Sequence, residues 1–142
     1  MKKKAVILYG SPHKNGHTKK ALNDVIKELQ PNYEFELIDA FKENIKPCVD
    51  CGFCKSTPAC AFSDFDNIDK ILRKCELLIV ATPVYNASFP APLKAIIDRT
   101  QLYFNMKTKL KINPFTQEKR AILVITYGAN DNSCEETLSL IH

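Results

Sequence analysis

The chain has 142 residues, of which 45% are hydrophobic and 25% are charged, a length that suits one globular domain over residues 1–142. The formal net charge is +4, and Lys2, Lys3 and Lys4 supply most of it, so the charge is too small and too dispersed to indicate nucleic-acid binding. No apolar run approaches the roughly 20 residues that cross a bilayer, and no signal-type segment follows the charged start. We therefore expect a cytoplasmic protein that binds neither nucleic acid nor membrane.

Four predicted strands alternate with helical patterns along the chain. The second strand alternates apolar and polar residues, as a half-buried or edge strand does, whereas the third and fourth are continuously apolar, as central strands are. In chain order the predicted elements are a strand over residues 5–10, a helix over 18–30, a strand over 33–38, a helix over 65–74, a strand over 76–81, a helix over 92–104, a strand over 121–126 and the start of a last helix over 134–140. This alternation predicts an α/β fold in which helices cover both faces of a parallel sheet.

The loop between the first strand and the first helix is rich in hydroxyls, amides and imidazoles. A helix start has unpaired backbone N–H groups and the positive end of the helix dipole, so a phosphate placed there gains hydrogen bonds and a favourable field. The alternative is an ordinary strand-to-helix turn, but helix capping needs one such residue rather than five. The candidate phosphate-binding residues are Ser11, His13, Asn15, Gly16, His17 and Thr18.

Two further loops follow the third and fourth strands, over residues 82–90 and 126–130. Because a doubly wound sheet binds ligands at the carboxyl ends of its strands, the three loops describe a site for a flat heterocycle with a phosphate tail. The first loop lacks both the dinucleotide fingerprint and the nucleoside triphosphate loop, so a mononucleotide such as FMN is the better match. Tyr85 and Tyr127 are also explicable as aromatic residues at a rim that holds no ligand.

These loops together resemble the flavodoxin-like NAD(P)H-dependent FMN reductases and their iron-sulfur flavoprotein branch, and the resemblance covers nearly the whole chain. It implies a doubly wound parallel sheet of order 2-1-3-4-5, with FMN as cofactor and NAD(P)H as electron donor. His13 stands where the family commonly has Arg or Lys, and His17 where Asn is common, yet both can donate to a phosphate. By resemblance the first loop holds the FMN phosphate, and the remaining FMN contacts are Pro83, Val84, Tyr85 and Asn86 along the flavin ring and Thr126, Tyr127 and Gly128 on its other side.

A cysteine-rich loop over residues 47–61 contains Cys48, Cys51, Cys54 and Cys60. Three cysteines at three-residue intervals with a fourth nearby suit a [4Fe–4S] cluster, whereas zinc usually takes two separated pairs. The spacing also matches the compact cysteine motif of the iron-sulfur flavoproteins, which implies a cluster next to the flavin. Packed or free thiols without a cluster are the alternative. Of the other two cysteines, we expect Cys75 in the core and Cys134 at a helix start, as a packed thiol.

Flavin chemistry needs no acid–base pair from the protein, and we expect no catalytic side chain. Asp64 and Asp66 are expected to cap or flank the second helix, and Asp98 with Arg99 to anchor the third helix to its neighbours. The expected function is an FMN-dependent NAD(P)H oxidoreductase that reduces flavins, quinones or similar acceptors. One alternative is an iron-sulfur flavoprotein that exchanges electrons with a ferredoxin-like partner, and another is a metal-stabilised binding module without redox activity.

The fifth strand of the flavodoxin-like order has no counterpart before the sequence ends. A fourth strand left at the edge would expose apolar side chains and unpaired backbone groups. We therefore expect either a homo-oligomer that covers this edge or a shortened form of a longer parent.

Overall fold

The computed structural model describes residues 1–128. The predicted last helix, Cys134 and the missing fifth strand lie outside the described residues. The elements in chain order are β1 (Lys3–Tyr9), α1 (His17–Leu29), β2 (Tyr33–Asp39), α2 (Ala40–Glu43), 3-10 turns at Phe53–Lys55 and Ser63–Phe65, α3 (Asp66–Lys74), β3 (Leu77–Pro83), α4 (Ala91–Arg99), α5 (Gln101–Thr108) and β4 (Arg120–Thr126). Within residues 1–128, no helix is both long enough and apolar enough to cross a bilayer.

The four strands form one parallel sheet of order β2-β1-β3-β4. β1 and β3 lie in register from Ala5 opposite Leu77 to Tyr9 opposite Ala81, so the strands deliver the loops that follow them to the same edge. The flavodoxin-like order expected for the first four strands is confirmed, as is the position of β2 at an edge. β4 ends the sheet in the described part of the chain, and its residues from Ile122 onward are half-buried. The homo-oligomer stays a prediction.

Helices cover both faces of the sheet, as predicted. Alternate residues of β1 point to opposite faces: Val6 and Leu8 join one buried cluster and Ile7 joins the other. The first cluster contains residues of α3 and α4, and the second contains Leu22 of α1. Cys75 is buried in the first cluster, which confirms its expected place in the core.

The single helix predicted over residues 92–104 is wrong, because the structure has two helices that meet at Thr100. The backbone N–H and the side-chain hydroxyl of Thr100 both donate to the carbonyl of Ile97, at 3.0 and 2.7 Å. This three-residue spacing tightens the turn and competes with the regular helical bond to residue 96. The break directs α5 toward the cysteine-rich loop.

Candidate functional site

Hydrogen bonds tie the three predicted loops together at the carboxyl edge of the sheet. The hydroxyls of Thr18 and Thr126 are 2.6 Å apart, which joins the start of α1 to the end of β4. The backbone N–H of Val84 donates to the carbonyl of Thr126 at 3.1 Å, and that of Gly10 donates to the carbonyl of Ala81 at 2.8 Å. The sequence-predicted loops are therefore held side by side at this edge.

The first loop is anchored by its buried residues and presents its other polar residues to solvent. Ser11 and Thr18 are 5% and 3% exposed. Ser11 Oγ accepts a hydrogen bond from the backbone N–H of His13 at 3.2 Å, and the Tyr9 hydroxyl donates to the carbonyl of His13 at 2.6 Å. The side chains of His13, Asn15 and His17 are exposed. Each can donate a hydrogen bond to a phosphate outside the loop.

The start of α1 has the chemistry of an anion site. Its N-cap is Gly16, which has no side chain to accept hydrogen bonds from the first-turn N–H groups, and no acidic residue lies in that first turn. Those N–H donors and the positive helix end are therefore without an anionic cap from this turn, and a phosphate group satisfies both. The residues present thus fit the phosphate of FMN.

Gly10 lets the first loop approach α4 closely. A Cβ at this position would overlap Leu93 Cδ2, at 2.4 Å, and crowd Thr82 Oγ1, at 3.1 Å. The missing side chain therefore allows this close approach of the first loop to α4.

The loop after β3 contains a tight two-residue turn between Tyr85 and Ser88. The two residues exchange backbone hydrogen bonds at 2.9 and 3.0 Å, and Asn86 and Ala87 between them have φ angles of 51° and 56°. Two successive left-handed residues define a turn of the hairpin type, which Asn tolerates and Ala does not favour. The turn leaves Tyr85 42% exposed, at the position where a flat ring would be contacted.

All the predicted FMN-contacting residues lie on these three loops. Pro83 and Val84 are half-buried beside the exposed turn, and Thr126 and Tyr127 are half-buried on the opposite loop, which ends at the exposed Gly128. Their contacts with the cofactor stay predictions.

The four predicted cluster ligands line one small cavity. Cys48 and Cys51 are exposed, and Cys54 and Cys60 are half-buried. Within residues 1–128, no three histidine, cysteine or carboxylate side chains lie close enough together to hold a metal ion. The four cysteines therefore line the same cavity, but their thiols are not close enough together to form a compact ligand set.

Arg99, at the end of α4, ties the cysteine-rich loop to the body of the protein. The side chain is 1% exposed and forms an ion pair with Asp64 at 2.8 Å. Its Nη2 also donates to Cys60 Sγ at 3.2 Å and to the carbonyl of Phe62 at 2.9 Å, and its Nη1 donates to the carbonyl of Lys46 at 2.9 Å. Arg99 thus anchors α4 to a neighbouring segment, as predicted.

Asp98 does not share that role. It pairs with Lys94 on the same helix at 2.6 Å, so the expectation that it anchors this helix to its neighbours is wrong. Asp64 flanks α3 as predicted, within the 3-10 turn that precedes this helix. Partial burial raises the pKa of the Asp64 carboxyl, but hydrogen bonds from Arg99 and from the Lys46 backbone outweigh burial and hold the pKa below its usual range.

Sequence reasoning missed Arg99 and Asn105 as partners of the cysteines. Asn105 Nδ2 donates to Cys54 Sγ at 3.1 Å. The sequence did contain a signal, which is a series of residues spaced three apart in which two members are polar and the others apolar. All members of this series are buried in α4 and α5. The series is Leu93, Ile96, Arg99, Leu102 and Asn105.

The two candidate sites lie toward opposite ends of α4. The loop after β3 precedes Ala91, whereas Arg99, Gln101 and Leu102 line the cysteine cavity. Eight helical steps separate Ala91 from Arg99, roughly 12 Å along the axis. Close proximity of a cluster and a flavin stays a prediction.

Comparisons with known proteins place the chain among flavin-dependent reductases. A family model described as NADPH-dependent FMN reductase matches residues 3–140. The iron-sulfur flavoprotein of Methanosarcina thermophila is 29% identical over 135 residues, 94% of this chain and 68% of that protein. An iron-sulfur flavoprotein of Archaeoglobus fulgidus is 33% identical over 107 residues, 74% of this chain and 49% of that protein. The chain thus spans between about half and about two thirds of the length of these curated relatives.

Solved structures support the fold. The NAD(P)H:quinone oxidoreductase from Methanothermobacter marburgensis has a TM-score of 0.64 at 14% identity, over 99% of this chain and 94% of that one. The azoreductase from Bacillus anthracis str. Sterne has a TM-score of 0.67 at 17% identity, over 96% of this chain and 76% of that one. At such identities the likeness establishes the flavodoxin-like architecture alone. Since the family model matches nearly the whole sequence, the chain belongs to the NADPH-dependent FMN reductase family.

Proposed function

We propose that the protein binds FMN on the three loops at the carboxyl edge of the sheet and acts as an NAD(P)H oxidoreductase that reduces flavins, quinones or similar acceptors. The observation that carries the proposal is the meeting of these loops at Thr126, whose hydroxyl contacts that of Thr18 and whose carbonyl accepts from Val84. Membership of the FMN reductase family supports the same cofactor.

Different loops hold the phosphate and the ring of the cofactor. FMN supplies hydride acceptance and the release of electrons singly or in pairs. The start of α1 holds the phosphate through backbone N–H groups and the hydroxyls of Ser11 and Thr18. Tyr85 and Asn86 line one side of the ring, and Tyr127 closes the other side. No side chain of the protein has to donate or accept a proton in this scheme.

The phosphate contacts can be tested by titrating the protein with FMN and with riboflavin, which lacks the phosphate. We expect FMN to bind more tightly than riboflavin. Replacing Ser11 and Thr18 together by Ala should weaken FMN binding at least tenfold, about 1.4 kcal/mol. It should weaken riboflavin binding less than FMN binding, because riboflavin makes no phosphate contact and loses only the support of the Thr18–Thr126 contact to the neighbouring loop. Flavin fluorescence quenching gives both affinities.

Thr18→Ser is the matched control, since it retains the hydroxyl at the same position and should keep the preference for FMN. Equal affinities of the wild-type protein for FMN and riboflavin would contradict this phosphate site. So would a double variant that binds FMN as tightly as the wild type.

The reaction can be tested by following the oxidation of NADH and of NADPH at 340 nm in the FMN-loaded protein, with free flavin and a soluble quinone as acceptors. We expect turnover with at least one donor and one acceptor, and its loss in the Ser11→Ala, Thr18→Ala variant at FMN concentrations below its Kd. FMN-loaded protein that oxidises neither donor, yet exchanges electrons with reduced ferredoxin, would instead favour an electron-transfer role.

The second candidate function is that of an iron-sulfur flavoprotein, which passes electrons between FMN, a [4Fe–4S] cluster and a ferredoxin-like partner. Its support is the cavity lined by four cysteine thiols and the names of the curated relatives. Thiols are the usual ligands of such clusters. Arg99, which lines the same cavity, also has a buried N–H, at Nε, without a hydrogen-bond partner in the described part of the chain. Such a group calls for an acceptor. The exposed loop would have to become more compact around the metal, as happens in proteins whose metal binding is coupled to folding.

Anaerobic reconstitution with iron and sulfide tests this candidate. If Cys48, Cys51, Cys54 and Cys60 act as one ligand set, the protein should take up about four irons per chain and show a broad visible absorption band. Cys75→Ser is the control, because this buried cysteine lies outside the loop and its loss should not change the iron content. Absence of iron, with four freely titrating loop thiols, would leave a plain flavin reductase. A protein that binds neither iron nor FMN would favour the binding module without redox activity.

A further inference from the structure

We propose that Arg99 and Asn105 are positioning residues of the cysteine cavity, which hold the sulfurs of Cys60 and Cys54 by N–H···S hydrogen bonds and thereby raise the reduction potential of a cluster bound there. The proposal rests on the iron-sulfur candidate function described above. Both residues act through the cysteines and are not themselves ligands.

Within residues 1–128, Arg99 is a buried cation that one carboxylate holds through both of its Nη atoms, at 3.3 and 2.8 Å. Its one carboxylate partner is Asp64, which is itself 27% exposed. The guanidinium lies over the rings of Phe62 and Phe65, with centroid distances of 5.6 and 5.2 Å. Burying a charge is costly unless it is paired and its donors are satisfied. The contact with Cys60 Sγ uses one of the Arg99 donors, and the unpartnered Nε leaves a further donor for an acceptor such as a ligand sulfur.

Asn105 provides a second, independent donor on a different helix. It is 2% exposed, and its amide nitrogen lies 3.1 Å from Cys54 Sγ. A buried amide is stable where its hydrogen-bonding capacity is used, and here a thiol uses it. Two buried polar residues on the apolar stripe of α4 and α5 thus meet the two half-buried cysteines of the loop.

These contacts divide the four cysteines into an inner pair, Cys54 and Cys60, and an outer exposed pair, Cys48 and Cys51. Ionised sulfur is a strong acceptor, and N–H donors to ligand sulfurs are among the features that set the potential of iron-sulfur clusters. One-electron reduction adds negative charge to the cluster, so donors and a nearby cation stabilise the reduced state more than the oxidised state. We therefore expect Arg99 and Asn105, as donors to the inner pair, to raise the potential.

The experiment compares reconstituted wild-type protein with Asn105→Leu, which removes the amide at similar volume, and Arg99→Lys, which keeps the charge but loses the planar fork. Iron content is measured first, and the midpoint potential then follows from a dithionite titration monitored by electron paramagnetic resonance. Asn105→Leu should keep its iron and lower the equilibrium constant for one-electron reduction about tenfold, equivalent to about 59 mV. Arg99→Lys should shift the potential in the same direction.

Lys94→Gln is the matched control. It removes a cation from α4, but Lys94 is half-exposed and pairs with Asp98, so the potential should stay that of the wild type. If Arg99→Lys fails to fold, Asn105→Leu decides the matter alone.

The possible failures are distinguishable. Wild-type protein that takes up no iron overturns both the iron-sulfur candidate and this inference, while FMN binding and NAD(P)H oxidation stand on their own tests. Wild-type protein that takes up four irons, with variants at the wild-type potential, overturns the inference alone.

Discussion

The loops at the carboxyl edge of the sheet and the cysteine-rich loop are stabilised in different ways. Each loop at the edge follows a strand of the parallel sheet, and short hydrogen bonds such as that between Thr18 and Thr126 join it to its neighbours. The cysteine-rich loop has one short 3-10 turn, Phe53–Lys55, as its regular structure and depends on Arg99, which lies 39 residues beyond Cys60 in the chain. A site at the edge of a sheet takes its geometry from the topology, whereas a loop outside regular structure takes it from a few side-chain contacts. Single substitutions should therefore damage the second region more than the first.

The largest expected effect is that of Arg99→Ala. Removing one partner of a buried ion pair, together with the packing of a large side chain, should lower the free energy of unfolding by about 3–5 kcal/mol. Urea denaturation measures this loss, and FMN affinity under conditions where the variant is folded should stay within about twofold of wild type. Lys94→Ala, which breaks an exposed pair, should cost about 0–1 kcal/mol. Similar losses in the two variants would remove the contrast between the regions.

The next effect is that of Asp64→Asn, which tests the same anchor from its acidic side. Because the pKa of Asp64 is lowered in the folded protein from its ordinary 3.8, its ionised form stabilises the fold above that pH, and this contribution is lost as the pH falls through the folded-state pKa. The variant should lose roughly 2 kcal/mol at neutral pH and approach the wild type in acid. Urea denaturation from neutral to acidic pH measures both. Asp98→Asn, in an exposed pair, is the control; a deficit for Asp64→Asn that persists in acid would exclude charge as its cause.

Gly10→Ala tests the edge loops. The added Cβ would meet Leu93 at 2.4 Å, and overpacking of this kind should cost about 1–2 kcal/mol. The matched control is Gly128→Ala on the same edge, where a Cβ meets nothing within 4 Å among residues 1–128. Thermal denaturation of the two variants gives the comparison. Equal melting temperatures would show that the first loop can move away from α4 at little cost.

The smallest effect has the opposite sign. Ala87→Gly should stabilise the protein by roughly 0.5 kcal/mol, because glycine adopts the left-handed conformation of Ala87 without strain, and this gain exceeds its entropic cost. Ala21→Gly, within α1, makes the same substitution in a helix and should instead destabilise by about 1 kcal/mol. Chemical denaturation resolves both signs. A loss of stability at both positions would argue against strain in the turn at Tyr85–Ser88.

Much of the fold could be predicted from the sequence, because hydrophobic periodicity is a local property. The four strands and the first two long helices lie within a few residues of their predicted ranges, and the continuous apolar run of β3 does lie inside the sheet. The strand order came from the family resemblance, since periodicity alone does not say which strands pair. The same topology brings the three candidate FMN loops to one edge, so their meeting also followed from the order of elements along the chain.

Other features were decided only by the tertiary structure. The helix break at Thr100, the turn after β3 and the partners of the half-buried cysteines depend on which groups packing brings within hydrogen-bonding distance. In the sequence, Arg99 is one charged residue at the end of a predicted helix. Only the structure shows that it is buried beside Asp64 and Cys60. The physical reason is that burial and pairing are properties of residues distant in sequence, and the cost of burying a charge takes effect only once those residues have come together.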